Sequence, residues 1–100
     1  MNDILPLRDA EVEQKLADLP AGWEHRDHMI SKLFVFDNML DGIHLLDKLI
    51  PYCNEIDHHP DIQINFKKFK FFLTRWDAGQ KVTERDFLVA KKIEELYSIR

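Results

Sequence analysis

Apolar residues recur at helical spacing near the start of the chain, at Val12, Leu16 and Leu19. This spacing predicts a helix over about residues 9–19, with Asp9 able to cap its N-terminus. The Pro-Ala-Gly sequence that follows is a typical stop signal, so we expect the helix to end there.

Two later segments have the pattern of β-strands. Short strands are predicted between residues 23 and 36, which end in an apolar, β-prone run. In residues 62–73 apolar and polar side chains alternate around a lysine pair, which predicts a hairpin with Phe66 as the last apolar position of its first strand. Phe72 and Trp76 fall on the other face of the second strand, so we expect both faces of that strand to be covered.

Two further helices are predicted, one on each side of this hairpin. Asp37 or Asn38 would cap the first helix, and Thr83 would open the second. The first helix has an apolar stripe that we expect to face the sheet: Met39, Ile43, Leu46, Ile50 and Cys53. The second has its own apolar side: Phe87, Ala90, Ile93 and Tyr97. The order α-β-β-α-β-β-α predicts an α+β fold, with an antiparallel four-stranded sheet and helices packed on one face.

Composition and charge exclude several classes of function. The 100 residues predict a single domain, 1–100. Fourteen basic and eighteen acidic residues give a net charge of −4, which argues against direct nucleic-acid binding through a basic face. One cysteine excludes an internal disulfide and a multi-cysteine zinc site within one chain. Because no apolar run is long enough to cross a bilayer, we expect no membrane association and a reducing, cytoplasmic location.

The densest group of titratable residues is the stretch 57–61, with the sequence Asp-His-His-Pro-Asp. Adjacent imidazoles at His58 and His59 can divide proton donation and acceptance at one substrate. The alternative is that this stretch is only a polar connection after the preceding helix, with histidines whose positive form is stabilised by the negative end of the helix dipole. A metal site built on these residues, or on His25 and His28, is not expected, because the histidines lack the i, i+4 spacing of two ligands on one helix face. With three glycines in all, a phosphate-binding or dinucleotide-binding loop is not expected either, and we predict no cofactor.

The spacing of several residues resembles the sequence pattern of the pterin-4a-carbinolamine dehydratase family. The His-His-Pro stretch at 58–60 is followed by Phe66 after five residues, by Trp76 after nine more and by Asp86 after another nine. The Thr-Glu-Arg-Asp stretch at 83–86 also resembles the family's closing segment. The resemblance covers essentially the whole chain.

The resemblance implies a dehydration, in which a 4a-hydroxytetrahydropterin loses water to give a quinonoid dihydropterin. The leaving hydroxyl needs a proton and N5 must release one, so the reaction calls for general acid–base catalysis. By match to the family pattern, His58 would be the main acid/base group, and His59 would contact the pterin and assist. Pro60 and Phe66 would belong to the substrate-binding set, and Trp76 would form a wall of the pocket.

Asp86 has two candidate roles. The resemblance implies that its carboxylate could orient a catalytic histidine. An Asp three residues after Thr83 also completes a helix-capping arrangement by itself, worth about 1 kcal/mol. The sequence leaves both roles open.

Two positions differ from the family pattern and keep a second function open. Asn54 stands where a charged residue is usual, and Trp76 stands where the best-known members carry histidine. An indole cannot exchange protons near neutral pH. The alternative is a catalytically inactive, dehydratase-like binding or assembly factor, such as a RuBisCO assembly chaperone linked to carboxysomes or a transcription-factor dimerisation cofactor. On either function the resemblance implies a homodimer or homotetramer.

Overall fold

Three helices and four strands follow one another in the predicted order in the computed structural model, which describes residues 5–76, 79 and 81–100. Their bounds are α1 Asp9–Leu16, β1 Glu24–Arg26, β2 Met29–Val35, α2 Met39–Ile56, β3 Asp61–Asn65, β4 Lys68–Leu73 and α3 Glu84–Ser98. Within those described residues, no helix combines the length and the apolar character needed to cross a bilayer.

The four strands form one antiparallel sheet in the spatial order β1-β2-β4-β3. Ile30 pairs with Leu73, and Asp61 pairs with Phe72. This register brings the β1–β2 turn, the end of β4 and the start of β3 to the same end of the sheet. The candidate functional residues lie at this end.

The core lies between one face of the sheet and the helices, as the sequence predicts. Phe34, Phe69 and Phe71 alternate with outward-facing residues and are fully buried. On the opposite face Leu33 and Val35 remain exposed. Helices α1, α2 and α3 pack on the same side of the sheet, so on the other face of β4 Phe72 is half-buried and Trp76 is exposed, in contrast to the predicted coverage of both faces within one chain.

The start of α1 also differs from the prediction. Arg8, not Asp9, occupies the N-cap position, and its backbone N–H donates to Oε1 of Glu11 at 3.0 Å. Asp9 is therefore the first helical residue. The predicted extension to residue 19 is a pair of tighter turns, with the N–H groups of residues 18 and 19 bonded three positions back.

The N-cap of α2 is confirmed, and its predicted buried stripe is confirmed in part: Cys53 is buried and Ile43 and Leu46 pack against the core. Oδ1 of Asn38 accepts the N–H of Asp41 at 2.9 Å. The residues that α2 buries are Gly42, Leu45, Leu49 and Cys53. The predicted Met39 and Ile50 are 43% and 36% exposed. Apolar residues occupy a wide arc of this helix, so spacing alone does not identify the side that meets the sheet.

Gly42 lets α2 lie close to β4. A Cβ atom at this position would stand 2.2 Å from Cε1 of Phe69, a side chain without exposed surface. We expect Gly42→Ala to lower the free energy of unfolding, because overpacking costs about 1–3 kcal/mol. That cost exceeds the roughly 1 kcal/mol by which alanine favours a helix over glycine. Urea unfolding followed by circular dichroism measures the change.

A second substitution separates overpacking from other effects of the alanine. Gly42→Ala combined with Phe69→Leu should recover part of the lost stability relative to the sum of the two single variants, since the smaller side chain makes room. Equal stability of Gly42→Ala and the unsubstituted chain would contradict this account of the contact.

Candidate functional site

The end of α2 sets the directions of the two adjacent histidines. Asp57 adopts a left-handed conformation, φ 54° and ψ 49°, and the N–H of His58 donates to the carbonyl of Cys53 at 3.0 Å. This is a common way for a helix to end. The chain then turns towards β3, with His58 buried and His59 exposed.

The buried His58 is bonded to the buried Asp86. Nε2 of His58 meets Oδ1 of Asp86, while Oδ2 of the same carboxylate accepts the backbone N–H of Thr83 at 2.8 Å. Because a carboxylate has two oxygens, Asp86 contacts the histidine ring and caps the start of α3 at the same time. With the carboxylate ionised, Nε2 of His58 carries the hydrogen and Nδ1 of the neutral ring keeps a lone pair.

A second contact ties the start of α3 to the end of α2. Nη1 of Arg85 donates to the carbonyl of Ile56 at 2.8 Å. The last carbonyls of a helix lack partners within it, so this bond satisfies one of them. The residue before Asp86 therefore holds the helix end from which His58 departs.

His59 has a partner of a different kind. Its Nε2 lies 2.7 Å from Oδ1 of Asn54, which is in the last turn of α2. The amide oxygen only accepts, so Nε2 of His59 is the donor and Nδ1 carries the lone pair in the neutral ring. Asn54, at the position where the family pattern usually has a charged residue, is thus a neutral hydrogen-bond partner of His59.

Both histidines line a cavity of about 300 Å³, together with Asp57, Thr74, Arg75 and Trp76. Trp76 is 78% exposed and lines the cavity together with His59. The sequence pattern missed Thr74 and Arg75, which reach the site through the pairing of β4 with its neighbours. Asp57 belongs to the titratable stretch 57–61, but the sequence pattern does not indicate a catalytic or binding role for it.

Two of the predicted binding residues lie elsewhere. Phe66 is in the β3–β4 turn with φ 57°, at the end of β3 opposite to the histidines, and is 70% exposed. It is therefore a turn residue and not the last residue of a strand, as the alternation predicted. Pro60 is half-buried directly after His59, and the lining of the cavity includes neither Pro60 nor Phe66.

Other chemistries have less support at this site. Burial raises the pKa of the Cys53 thiol to about 11, so the thiol stays protonated near neutral pH and is a poor nucleophile. In the part of the chain that the structure describes, no three His, Cys, Asp or Glu side chains are grouped in a way that could hold a metal ion. The arrangement favours proton transfer by two imidazoles with separately fixed partners.

Known proteins with similar sequences carry the same family description. Residues 5–96 match the family described as pterin 4 alpha carbinolamine dehydratase. A protein of Picosynechococcus sp., named provisionally as such a dehydratase, is 36% identical over 90 residues, which cover 90% of this chain and 96% of the relative. A protein of Aquifex aeolicus with the same provisional name is 38% identical over 90 residues, covering 90% and 89%.

A solved structure has the same fold. The crystal structure of a transcriptional coactivator/pterin dehydratase from Brucella melitensis superimposes with a TM-score of 0.86 at 23% identity, covering 92% of this chain and 98% of that one. The two sequence matches each span nine-tenths of the chain at more than 30% identity, and the family match covers residues 5–96. The chain therefore belongs to the pterin-4a-carbinolamine dehydratase family.

Proposed function

We propose that the chain converts a 4a-hydroxytetrahydropterin into a quinonoid dihydropterin by general acid–base catalysis. The observation that carries this proposal is the pair of imidazoles on one cavity, His58 bonded to a carboxylate and His59 to an amide. The reaction class is that of the family, and the roles of individual residues are inferred from the contacts in this chain.

The reaction requires two proton movements. The C4a–O bond breaks and its electron pair leaves with the hydroxyl, which a proton converts to water. N5 loses its proton, and its electrons form the C4a=N5 double bond. One group must accept while another donates, and imidazoles suit both tasks near neutral pH.

The two partners favour different tasks for the two rings. The Asp86 carboxylate accepts the Nε2 hydrogen of His58, which leaves Nδ1 of this ring to take the N5 proton as the main acid/base group. The Nε2 hydrogen of His59 is bonded to Asn54, so His59 contacts the pterin and donates to the leaving hydroxyl from Nδ1 of its protonated ring. Trp76 cannot exchange protons and supplies a wall for the ring system.

His58→Ala should lower the rate of dehydration by at least about a hundredfold, the usual contribution of a general acid or base. The measurement supplies enzymatically generated 4a-hydroxytetrahydropterin and follows the appearance of quinonoid dihydropterin by absorbance. His44→Ala is the matched control, because His44 is an exposed histidine on α2 outside this cavity. A His58→Ala variant as fast as the unsubstituted chain would refute the role of His58.

The unsubstituted chain provides the test of catalysis itself. No acceleration over the spontaneous dehydration would overturn the enzymatic proposal and favour the binding or assembly function. The departures at Asn54 and Trp76 are the observations behind that second function. Pull-down from the native host should then recover a large protein partner, and the predicted cytoplasmic location would hold for either function.

Asn54→Asp tests the separate task of His59. A carboxylate in place of the amide stabilises the protonated ring, so the ring holds its proton to higher pH. We expect the alkaline limb of the kcat/KM profile to move up by roughly one pH unit, since this limb reports loss of the essential acid's proton. Steady-state rates between pH 5 and 10 give the profile.

Asn65→Asp is the matched control for this substitution. Asn65 is exposed at the far end of β3, so the same change of charge there should leave both limbs in place. An unchanged alkaline limb in Asn54→Asp, or a shift of the acid limb instead, would refute the assignment of His59 as the proton donor.

We also propose that the chain forms a homodimer or homotetramer. Met39, Leu40 and Ile50 are exposed on α2, and Leu33 and Val35 are exposed on the open face of the sheet. Symmetric association is the common way to cover such apolar surface.

Light scattering at micromolar concentration should give at least twice the chain mass of 11.9 kDa. Ile50→Glu and Val35→Glu then identify the face used, because a buried charge at the interface should lower the mass in only one of the two variants. A monomeric mass for the unsubstituted chain would contradict the proposal.

A further inference from the structure

Phe66 is an exposed aromatic residue in an unfavourable backbone conformation. It lies in the two-residue β3–β4 turn with φ 57°, a region that bulky side chains rarely adopt, and it is 70% exposed. A glycine at this position would relieve the strain and leave no apolar ring in water. Strained residues of this kind cluster at functional sites. The ring of Phe66 therefore calls for a role outside its own turn.

The candidate site has only one large aromatic wall. Trp76 is the only indole or phenyl side chain among the described residues that line the first cavity, and it is itself mostly exposed. His59 and Trp76 also line a second cavity of about 220 Å³. This second cavity reaches Asp61 at the start of β3 and Asp27 in the β1–β2 turn, where Asp27 and His28 both have positive φ. The site thus extends to the start of β3, and a flat ring bound there would have one face uncovered.

The strand β3 lies at an edge of the sheet. It pairs with β4 on one side, and in the part of the chain that the structure describes no strand pairs with its other side. Four of its five residues are exposed. The free backbone N–H and C=O groups of such an edge are a template for pairing with a strand of another chain.

A second copy of β3 is a complementary partner for this edge. In antiparallel pairing about Gln63, Ile62 lies opposite Ile64 of the partner subunit, and Asp61 lies opposite Asn65 of the partner subunit. Ile62 and Ile64 are on the helix side of the sheet, as their buried neighbours in β4 are, and Ile64 is 39% exposed in the single chain. Apolar cross-strand pairs stabilise a sheet, so this register covers the exposed isoleucine with another one.

The two ends of β3 carry opposite charges. Asp57 and Asp61 lie before and at its start, and Lys67 and Lys68 follow its end. In an antiparallel pair the acidic end of one copy lies beside the basic end of the other, and the attraction favours this arrangement. A parallel pair would bring like charges together. The charges therefore favour the same antiparallel pairing as the isoleucines.

This register also places Phe66 of the partner subunit opposite Pro60, directly after His59. We propose that two copies of the chain pair along β3 and that each supplies its Phe66 to the candidate site of the other, as a second aromatic wall. The inference rests on the proposed function, since the wall serves a pterin ring beside the histidines. It gives a reason for an exposed, strained ring at the far end of its own strand.

The pairing uses the edge of the sheet and leaves α2 and the open face of the sheet free. The face identified by Ile50→Glu or Val35→Glu is then a second interface, and the two kinds of contact together give a homotetramer.

A mixture of two impaired variants tests whether Phe66 acts in the site of the partner. Phe66→Gly removes the ring and relieves the turn, so we expect an unchanged circular dichroism spectrum and about tenfold lower kcat/KM. Phe66→Gly and His58→Ala are mixed in equal amounts in urea and refolded together. In a mixed pair, the site of the Phe66→Gly chain keeps its own His58 and receives an intact Phe66 from the other chain. Random pairing makes about one site in four complete, so we expect about a quarter of the unsubstituted rate.

A role of Phe66 within its own chain predicts a different result. The mixture would then give only the mean of the two variants, about a twentieth of the unsubstituted rate, and that result would refute the proposal. Trp76→Ala mixed with His58→Ala is the matched control. Because both of these residues line the same cavity of one chain, no mixed pair contains a complete site, and the rate should not exceed the mean of the two components.

An introduced cysteine tests the register of the pairing. Gln63→Cys places a thiol opposite its own copy on the two-fold axis, where facing residues of antiparallel strands are close enough for a disulfide. The native Cys53 has no exposed surface and does not compete. After mild oxidation we expect most of this variant to migrate as a cross-linked dimer on a non-reducing gel. Glu24→Cys, on the edge strand β1 at the other side of the sheet, is the matched control and should migrate as a single chain.

The outcomes separate this inference from the proposed function. If the unsubstituted chain accelerates dehydration but the first mixture gives only the mean rate, or if Gln63→Cys does not cross-link, the supply of Phe66 by the partner is refuted while the proposed function stands. If the unsubstituted chain does not accelerate dehydration, the inference and the proposed function both fail.

Discussion

The carboxylate of Asp86 connects the fold to the candidate chemistry. One oxygen accepts the N–H of Thr83 at the start of α3, and the other is bonded to His58 after the end of α2. A buried carboxylate without partners is costly, so neither contact can open without leaving an oxygen unpaired. The bond from Arg85 to Ile56 adds a second tie between the same helix ends. The position of the His58 ring is therefore set by contacts with the ends of two packed helices.

Local signals predicted the elements of the fold well, and their faces less well. The caps at Asn38 and Thr83 and the alternation before Asn65 depend on neighbouring residues, which the sequence displays directly. The buried side of α2 depends on what packs against it. Gly42 faces β4 because only a residue without a side chain fits over Phe69, and that contact joins residues far apart in the chain. The spacing of apolar residues along α2 alone predicted an adjacent side of the helix.

The same distinction applies to the candidate site. The adjacent histidines are visible as a local motif, and the spacing of Asp86 matches a known family pattern. Thr74 and Asp27 come to the site through the pairing of β2 with β4, for which the sequence gives no local signal. The hydrogen bond of Asn54 to His59 spans the end of a helix, and its geometry follows from the left-handed turn between them. Site residues that belong to a local motif or a known spacing could thus be predicted from the sequence. Those that strand pairing brings to the site could not.

Asp27 and His28 join β1 to β2 in a two-residue turn with positive φ at both residues, and this turn links the stability of the hairpin to the charge of a cavity beside His59. An Asn-Gly pair would relieve the left-handed strain and stiffen the hairpin, a common route to a more stable protein. It would also remove a carboxylate from the cavity that adjoins His59. A chain selected only for heat resistance would therefore favour Asn-Gly here and would keep its fold and its paired imidazoles, while the cavity beside them would lose one negative charge.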